Sequence, residues 1–273
     1  MKKIILAFDG THFSEGAFEF ARRLNEISPI LLTGVFLPQT ELANLWSYAD
    51  GAPGISIPLV EPAEAVMTEE NIKRFEKLCK DNMIDYRVHK DYFDFVMPEL
   101  RRESIYADLL VLGTETFYEN MGTGFPNDYL RDALHDLACP VLLVPEKFDF
   151  PESIILGYDG SEDAVYAIKQ FAYLFPELVD KETMLVYAND DTKSDFPDKK
   201  EIEELVIRHF RNLSLNKLEI NPRKYFSAWM LGKKSALLVS GSYGRSGFSQ
   251  LFRKSFVKDI ISDHRLPVFI AHK

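Results

Sequence analysis

Ser235-Ala-Leu-Leu-Val-Ser-Gly-Ser-Tyr-Gly-Arg-Ser-Gly-Phe-Ser-Gln-Leu-Phe-Arg-Lys-Ser255 decides how this chain is read. It opens on an apolar run suited to a strand buried on both faces. The run ends at Gly241 and is followed by Gly244 and Gly247. An amphipathic helix is expected next, ending near His264, and then a second apolar strand, Pro267-Val-Phe-Ile-Ala271. Strand, glycine-rich turn, helix and strand together offer backbone N–H groups and a helix N-terminus to phosphate oxygens. Glycine lets that backbone approach a ligand with no Cβ in the way. The same spacing also serves as a plain tight turn, and spacing alone does not separate the two readings.

Working outward from this run, the chain repeats itself. Glu152-Ser-Ile-Ile-Leu-Gly-Tyr-Asp159-Gly160-Ser161 restates Lys2-Lys-Ile-Ile-Leu-Ala-Phe-Asp9-Gly10-Thr11, 150 residues later. Leu237-Leu-Val-Ser-Gly241 restates Leu109-Leu-Val-Leu-Gly113, and Pro267-Val-Phe-Ile-Ala271 restates Pro140-Val-Leu-Leu-Val144. This is a tandem duplication, with domains expected at 1–147 and 152–273 and a short linker over Phe148-Asp-Phe-Pro-Glu152.

Within each copy, strand and helix patterns alternate, as in a doubly wound α/β domain with a mostly parallel five-stranded sheet. In the first copy the strands are expected at 3–8, 30–36, 85–89, 108–113 and 140–144. The helices are expected after Ser14, over 63–82 with Val66, Ile72, Phe75 and Leu78 inward, over 93–104 and over 129–137. Residues 38–62 read as a long connection of little periodicity, and 114–127 as a second one. In the second copy, strands are expected at 182–188 and 217–220, with helices over 200–213 and 225–231.

Composition narrows the function. The 273 residues are 46% hydrophobic and 27% charged, enough for two packed cores. A net charge of −10 argues against nucleic acid or an anionic membrane as the main partner. Cys79 and Cys139 show neither metal spacing nor a redox pair and fit a reducing compartment, so a cytoplasmic protein is expected. The apolar N-terminus is interrupted at Asp9 and does not read as a signal peptide, and no stretch is long enough to span a membrane. The six histidines are scattered, no nucleophile or metal motif is present, and no catalytic or metal residues are assigned.

The spacing G-x2-G-x9-x-S at Gly241, Gly244 and Ser255 resembles the nucleotide-binding branch of the universal stress protein family, whose pattern is G-x2-G-x9-G-[ST]. Lys254 stands where that pattern has its third glycine. The resemblance implies two Rossmann-like domains of the adenine nucleotide alpha hydrolase-like kind and a stress-response protein. It implies no dedicated active site, and at most slow hydrolysis of ATP. It also implies ATP with Mg2+ as the ligand of the second copy. Asp159, Gly160 and Ser161 would then lie after its first strand, with Asp159 facing the base, and Ala188 would line the adenine pocket. Gly241, Ser242, Gly244, Arg245, Ser246, Lys254, Ser255 and Phe256 would line ribose and phosphate.

Each assignment has a plainer counterpart. Asp159 is also a good turn or cap residue, Ser255 a cap, and His12 a surface turn histidine. Lys254 either supplies a cation or blocks the close approach that glycine allows. The first copy keeps Asp9-Gly10-Thr11, with Val35 taken as its second-strand position, but Thr116 replaces the second glycine. Glu115, Glu119 and Asp128 bring negative charge there, so no nucleotide is expected in this copy. Three readings stay open: a nucleotide-binding module, a partner-binding protein with both clefts degenerate, and a small-molecule or lipid binder using Trp46 and Tyr48. The closing strands, 140–144 and 267–271, are candidates to pair within one chain as a pseudo-dimer, with a homodimer of chains beyond it.

Overall fold

The computed structural model describes residues 1–38, 41–45, 55–90, 96–118, 128–191, 193–233, 235–241 and 266–272. The first half begins with β1 (Lys2–Phe8), α1 (Glu15–Ile27) and β2 (Ile30–Phe36). A short pair, β3 (Glu41–Leu45) and β4 (Ile55–Leu59), precedes α2 (Pro62–Asp81) and β5 (Asp85–Lys90). α3 (Val96–Ile105), β6 (Leu109–Gly113), α4 (Asp128–Asp136) and β7 (Val141–Val144) complete it. The second half runs β8 (Ser153–Gly157), α5 (Glu162–Leu174), β9 (Glu182–Ala188), α6 (Lys199–His209) and β10 (Leu213–Leu218). It ends with α7 (Pro222–Leu231), β11 (Ala236–Ser240) and β12 (Val268–Ile270).

Ten of these strands form one sheet, in the order β10-β9-β8-β11-β12-β7-β6-β1-β2-β5. Each half contributes its five sheet strands in the same 3-2-1-4-5 order, reckoned along its own chain. All described pairings in this sheet are parallel except β7 with β12, where Leu142 lies opposite Phe269. The two closing strands thus join the halves at a local two-fold relation. The closing strands pair within the chain, as the repeat led one to expect, and the two five-stranded sheets run on as one.

The inner strands form where residues can be buried on both faces, and alternate residues feed two cores, while the edge strands β5 and β10 stay partly exposed. Ile4, Leu6 and Phe8 of β1 point toward α1 and α2, in a cluster that continues through Phe171, Phe175 and Ile202 of the second half. Ile5 and Ala7 point the other way, to α3 and α4, in a cluster continuous with Phe226 and Met230 of α7. The linker adds to the first cluster. Phe148 and Phe150 lie 5.6 and 5.2 Å from the Phe20 ring, centre to centre.

Several boundaries differ from the sequence expectation. Residues 41–45 and 55–59 form an antiparallel ladder inside the connection read as having little periodicity. α6 stops at His209, because Phe210 turns to extended backbone (φ −113, ψ 120) and is buried. This frees Leu213 to start β10, four residues before the expected strand. In α2 the buried stripe is Thr68, Ile72, Phe75 and Cys79. Val66, expected inward, is 59% exposed. The helix starts at Pro62, and its buried stripe begins only at Thr68.

Candidate functional site

In an open parallel sheet the ligand-accessible edge lies beyond the carboxyl ends of the strands. In the second half that edge is built by β8, β9 and β11. β8 runs through Tyr158 into Asp159-Gly160-Ser161, where Gly160 takes φ +82. Any Cβ there would fall 2.7 Å from the Pro197 Cβ, so glycine is needed for both backbone and space. The Asp159 Oδ1 accepts the Ser161 N–H at 2.9 Å, and the Ser161 hydroxyl caps α5 by accepting the Ala164 N–H at 3.1 Å. Gly157 pairs with Val186, so the register carries Asp159 level with Ala188 at the end of β9. Gly241 follows β11, and a Cβ on it would stand 2.6 Å from the Ala164 nitrogen. The end of β11 therefore lies against the first turn of α5.

Asp159, Gly160, Ser161, Ala188 and Gly241 are thus gathered at one edge. Asp159 is half-buried, and no described residue other than Ser161 hydrogen-bonds to its carboxylate. Ser242, Gly244, Arg245, Ser246, Lys254, Ser255 and Phe256 lie outside the described residues. Beside the turn, between α5 and α6, a groove of about 560 Å³ opens with Tyr158, Gly160, Ser161 and Ile202 in its wall. The Tyr158 hydroxyl donates to the Pro197 carbonyl at 2.8 Å. Burial, reinforced by Asp198 and Asp159, pushes this phenol up to about 12.

The first half repeats the turn and uses it differently. Gly10 takes φ +89, and a Cβ there would lie 2.8 Å from the Thr68 hydroxyl. Asp9 is buried, and its own neighbourhood consumes its carboxylate. Its Oδ1 accepts the N–H groups of Thr11 and His12 at 3.0 and 2.8 Å, and the Thr11 hydroxyl at 3.2 Å. Its Oδ2 lies 2.8 Å from the His12 Nδ1 and accepts the Tyr118 N–H at 3.1 Å. His12 is accordingly a turn residue.

Tyr118 is the residue that sequence reasoning missed. It sits five residues past Gly113 with φ +54, and it is 3% exposed. Its hydroxyl donates to the Leu37 carbonyl, and its ring stacks on Tyr129 at 4.1 Å and 19°. Burial, with Asp9 next in effect, holds its phenol well above the ordinary range. Leu37 also corrects an alignment. Ala7 pairs with Val35 as Gly157 pairs with Val186, so Leu37, not Val35, matches Ala188. The only sequence signal for Tyr118 was the Phe117-Tyr118 pair in place of the glycine-rich run.

The α1 N-terminus of the first half is also committed. The Glu146 Oε2 accepts the N–H groups of Glu15 and Gly16 at 3.0 and 3.2 Å, and the Ser14 hydroxyl donates to Oε1. A carboxylate is favoured at that positive helix end. The Glu146 N–H in turn donates to Glu115 at 2.9 Å. Two carboxylates thus border the first half's version of the edge.

Among the described residues no group of three or more histidine, cysteine or acidic side chains is arranged to hold a metal, and no helix is long and apolar enough to cross a membrane. No family model matches the sequence, and no curated protein matches it. Solved structures do. A universal stress protein from Archaeoglobus fulgidus DSM 4304 matches at a TM-score of 0.67 and 15% identity, over 100% of this chain and 96% of that one. A functionally unknown protein from Pseudomonas aeruginosa PAO1 matches at 0.56 and 9%, over 100% and 92%. A protein from P. aeruginosa UCBPP-PA14, provisionally described as a universal stress protein, matches at 0.54 and 10%, over 100% and 93%. Over its whole length, then, this chain is similar in structure to universal stress proteins, and it carries the α/β motif of that fold twice within one sheet.

Proposed function

We propose that the chain is a stress-response protein of the universal stress protein family that binds one adenine nucleotide, ATP with Mg2+, through its second half. The observation that supports this most is the contrast between two copies of one turn. Asp9 is saturated by its own chain, whereas Asp159 keeps a half-buried carboxylate at an edge that Ala188 and Gly241 share. The glycine-rich run Gly241 to Gly247 continues from that edge. When bound, the nucleotide would supply the energy state that the protein senses. The chain's own part is to hold the base near Asp159 and Ala188 and to meet the phosphates with backbone N–H groups. At most slow hydrolysis of ATP belongs to this reading. Two buried thiols are in keeping with a cytoplasmic location. A homodimer of chains rests on the general prevalence of two-fold pairs.

The test is ATP binding with Mg2+ by thermal shift, on the wild type and on Gly244→Asp, which sets a carboxylate against the phosphates. ATP is expected to raise the melting temperature of the wild type and to leave the variant unmoved. No shift in a folded wild type contradicts the reading and favours a partner-binding protein with both clefts degenerate.

A further inference from the structure

The two halves enter their first helices differently. Asp9 matches Asp159 by the repeat, and Ser14 matches Ser161 as the cap of the helix that follows. Gly10 to Phe13 lie between aspartate and cap in the first half, and Gly160 alone in the second. Thr11, His12 and Phe13 thus have no counterpart. Phe13 packs within its own half. Its ring stacks on Phe8 at 4.8 Å and 21° and meets Phe18 at 6.1 Å. The Arg74 guanidinium lies over that ring at 4.6 Å and pairs with Glu15. Counted from the strand end and the cap, Phe8 corresponds to Tyr158, Glu15 to Glu162 and Phe18 to Val165. Arg74 precedes the buried Phe75 of α2 as Glu201 precedes the buried Ile202 of α6. The second half keeps the carboxylate and has neither the ring nor the cation. In their place is the groove of about 560 Å³ between α5 and α6, walled by Tyr158, Val165 and Ile202. Glu162, Asp198 and Glu201 stand on its rim. All three are exposed, and none has an ion-pair partner among the described residues.

We propose that this groove docks a protein partner, and that the partner supplies there what the first half supplies to itself, an aromatic side chain beside an arginine. The ring lies on Tyr158 and Val165 as Phe13 lies on Phe8 and Phe18. The guanidinium enters between Glu162 and Glu201, with Asp198 adding to the negative field, as Arg74 stands between Phe13 and Glu15. Arginine suits this place better than lysine, because its planar group stacks on a ring while it forks to a carboxylate. The wall is already in place: the Tyr158 hydroxyl is fixed on the Pro197 carbonyl, so docking need not order it. Lys169, one helical turn beyond Val165, is a cation on the same wall and leaves the Glu162 end as the arginine's place. The groove lies on the face of α5 and α6, and its occupant requires no nucleotide at the strand ends, so this inference stands apart from the ATP reading.

The experiment titrates the full, isotope-labelled chain, free of nucleotide, with blocked peptides and follows backbone amide shifts. The probe is a Gly-Phe-Arg-Gly peptide, with Gly-Ala-Arg-Gly and Gly-Phe-Glu-Gly as controls. The probe is expected to shift the amides of Glu162, Val165, Glu201 and Leu205. Each control is expected to bind about tenfold more weakly, having lost the buried ring or reversed the charge. Glu201→Arg, which installs the first half's own residue at an exposed position, should weaken the probe about tenfold. Glu162→Gln serves if that variant does not fold. No shift at the solubility limit of the probe overturns the proposal, and so do shifts centred on Asp159 and Ala188. Equal binding of the alanine control overturns the seat for the ring, and equal binding of the glutamate control overturns the charge match. If the same amides shift with protein concentration alone, the groove is covered by a second copy of the chain and the proposed partner is ruled out.

Discussion

Thr33 sits in the middle of β2 at 0% exposure, and its hydroxyl has no hydrogen-bond partner among the described residues. Leaving a buried hydroxyl unsatisfied costs about 1–3 kcal/mol. Thr33→Val keeps the shape and removes the group, so chemical denaturation should show a chain stabilised by about 1 kcal/mol. The two thiols make a second prediction. Burial, with Glu76 for Cys79 and mainly burial for Cys139, pushes both from 9.0 up to about 12. Both should resist alkylation until the chain unfolds, because the thiolate is the reactive form. The unfolded thiols ionise near pH 9 while the folded ones stay protonated. The stability this represents is fully present below pH 9 and is lost as the pH rises toward about 12. Tyr118, also raised by burial, adds to the loss with the same sign above pH 10. Denaturation midpoints across this range that do not fall would contradict the assigned burial.

Helix starts carry the difference between the halves at the scale of elements. Ser14 and Ser161 both cap by accepting an N–H three residues on, each at 3.1 Å. Removing such a cap costs about 1 kcal/mol, up to about 2. Ser14 also donates to Glu146, which holds two further N–H groups of α1. Ser14→Ala should therefore destabilise the chain more than Ser161→Ala in paired urea melts. Equal losses would show that Glu146 contributes nothing through Ser14. Much of this level was legible beforehand. β1, β6, β8 and β11 are continuous apolar runs because parallel strands are buried on both faces, and Ser14 and Ser161 precede helical periodicity. β3 and β4 were not legible, since Glu41-Leu-Ala-Asn-Leu45 and Ile55-Ser-Ile-Pro-Leu59 are short and one contains a proline. Of the site, the turns and Gly241 could be read from the repeat. Tyr118 could not, because a positive φ at a tyrosine is imposed by tertiary contacts, and the Phe117-Tyr118 pair alone does not announce it.

At the scale of the molecule, the halves share a sheet and two cores. Phe269 lies at the join. It belongs to β12, opposite Leu142 of β7, and its ring meets Phe171 and Phe175 edge-on at 5.5 and 6.0 Å. Phe269→Ala should cost about 3–5 kcal/mol. Because both cores run across the join, the wild type is expected to unfold in one transition seen alike by fluorescence and circular dichroism. Two separated transitions would mean that each half keeps its own stability.

The most direct test of the asymmetry between the halves is the stoichiometry of ATP binding to the wild-type chain with Mg2+, by calorimetry. One nucleotide per chain is predicted, held by the second half while Tyr118 and two carboxylates close the first. Two per chain would contradict the closed first cleft, and none would contradict the nucleotide site itself.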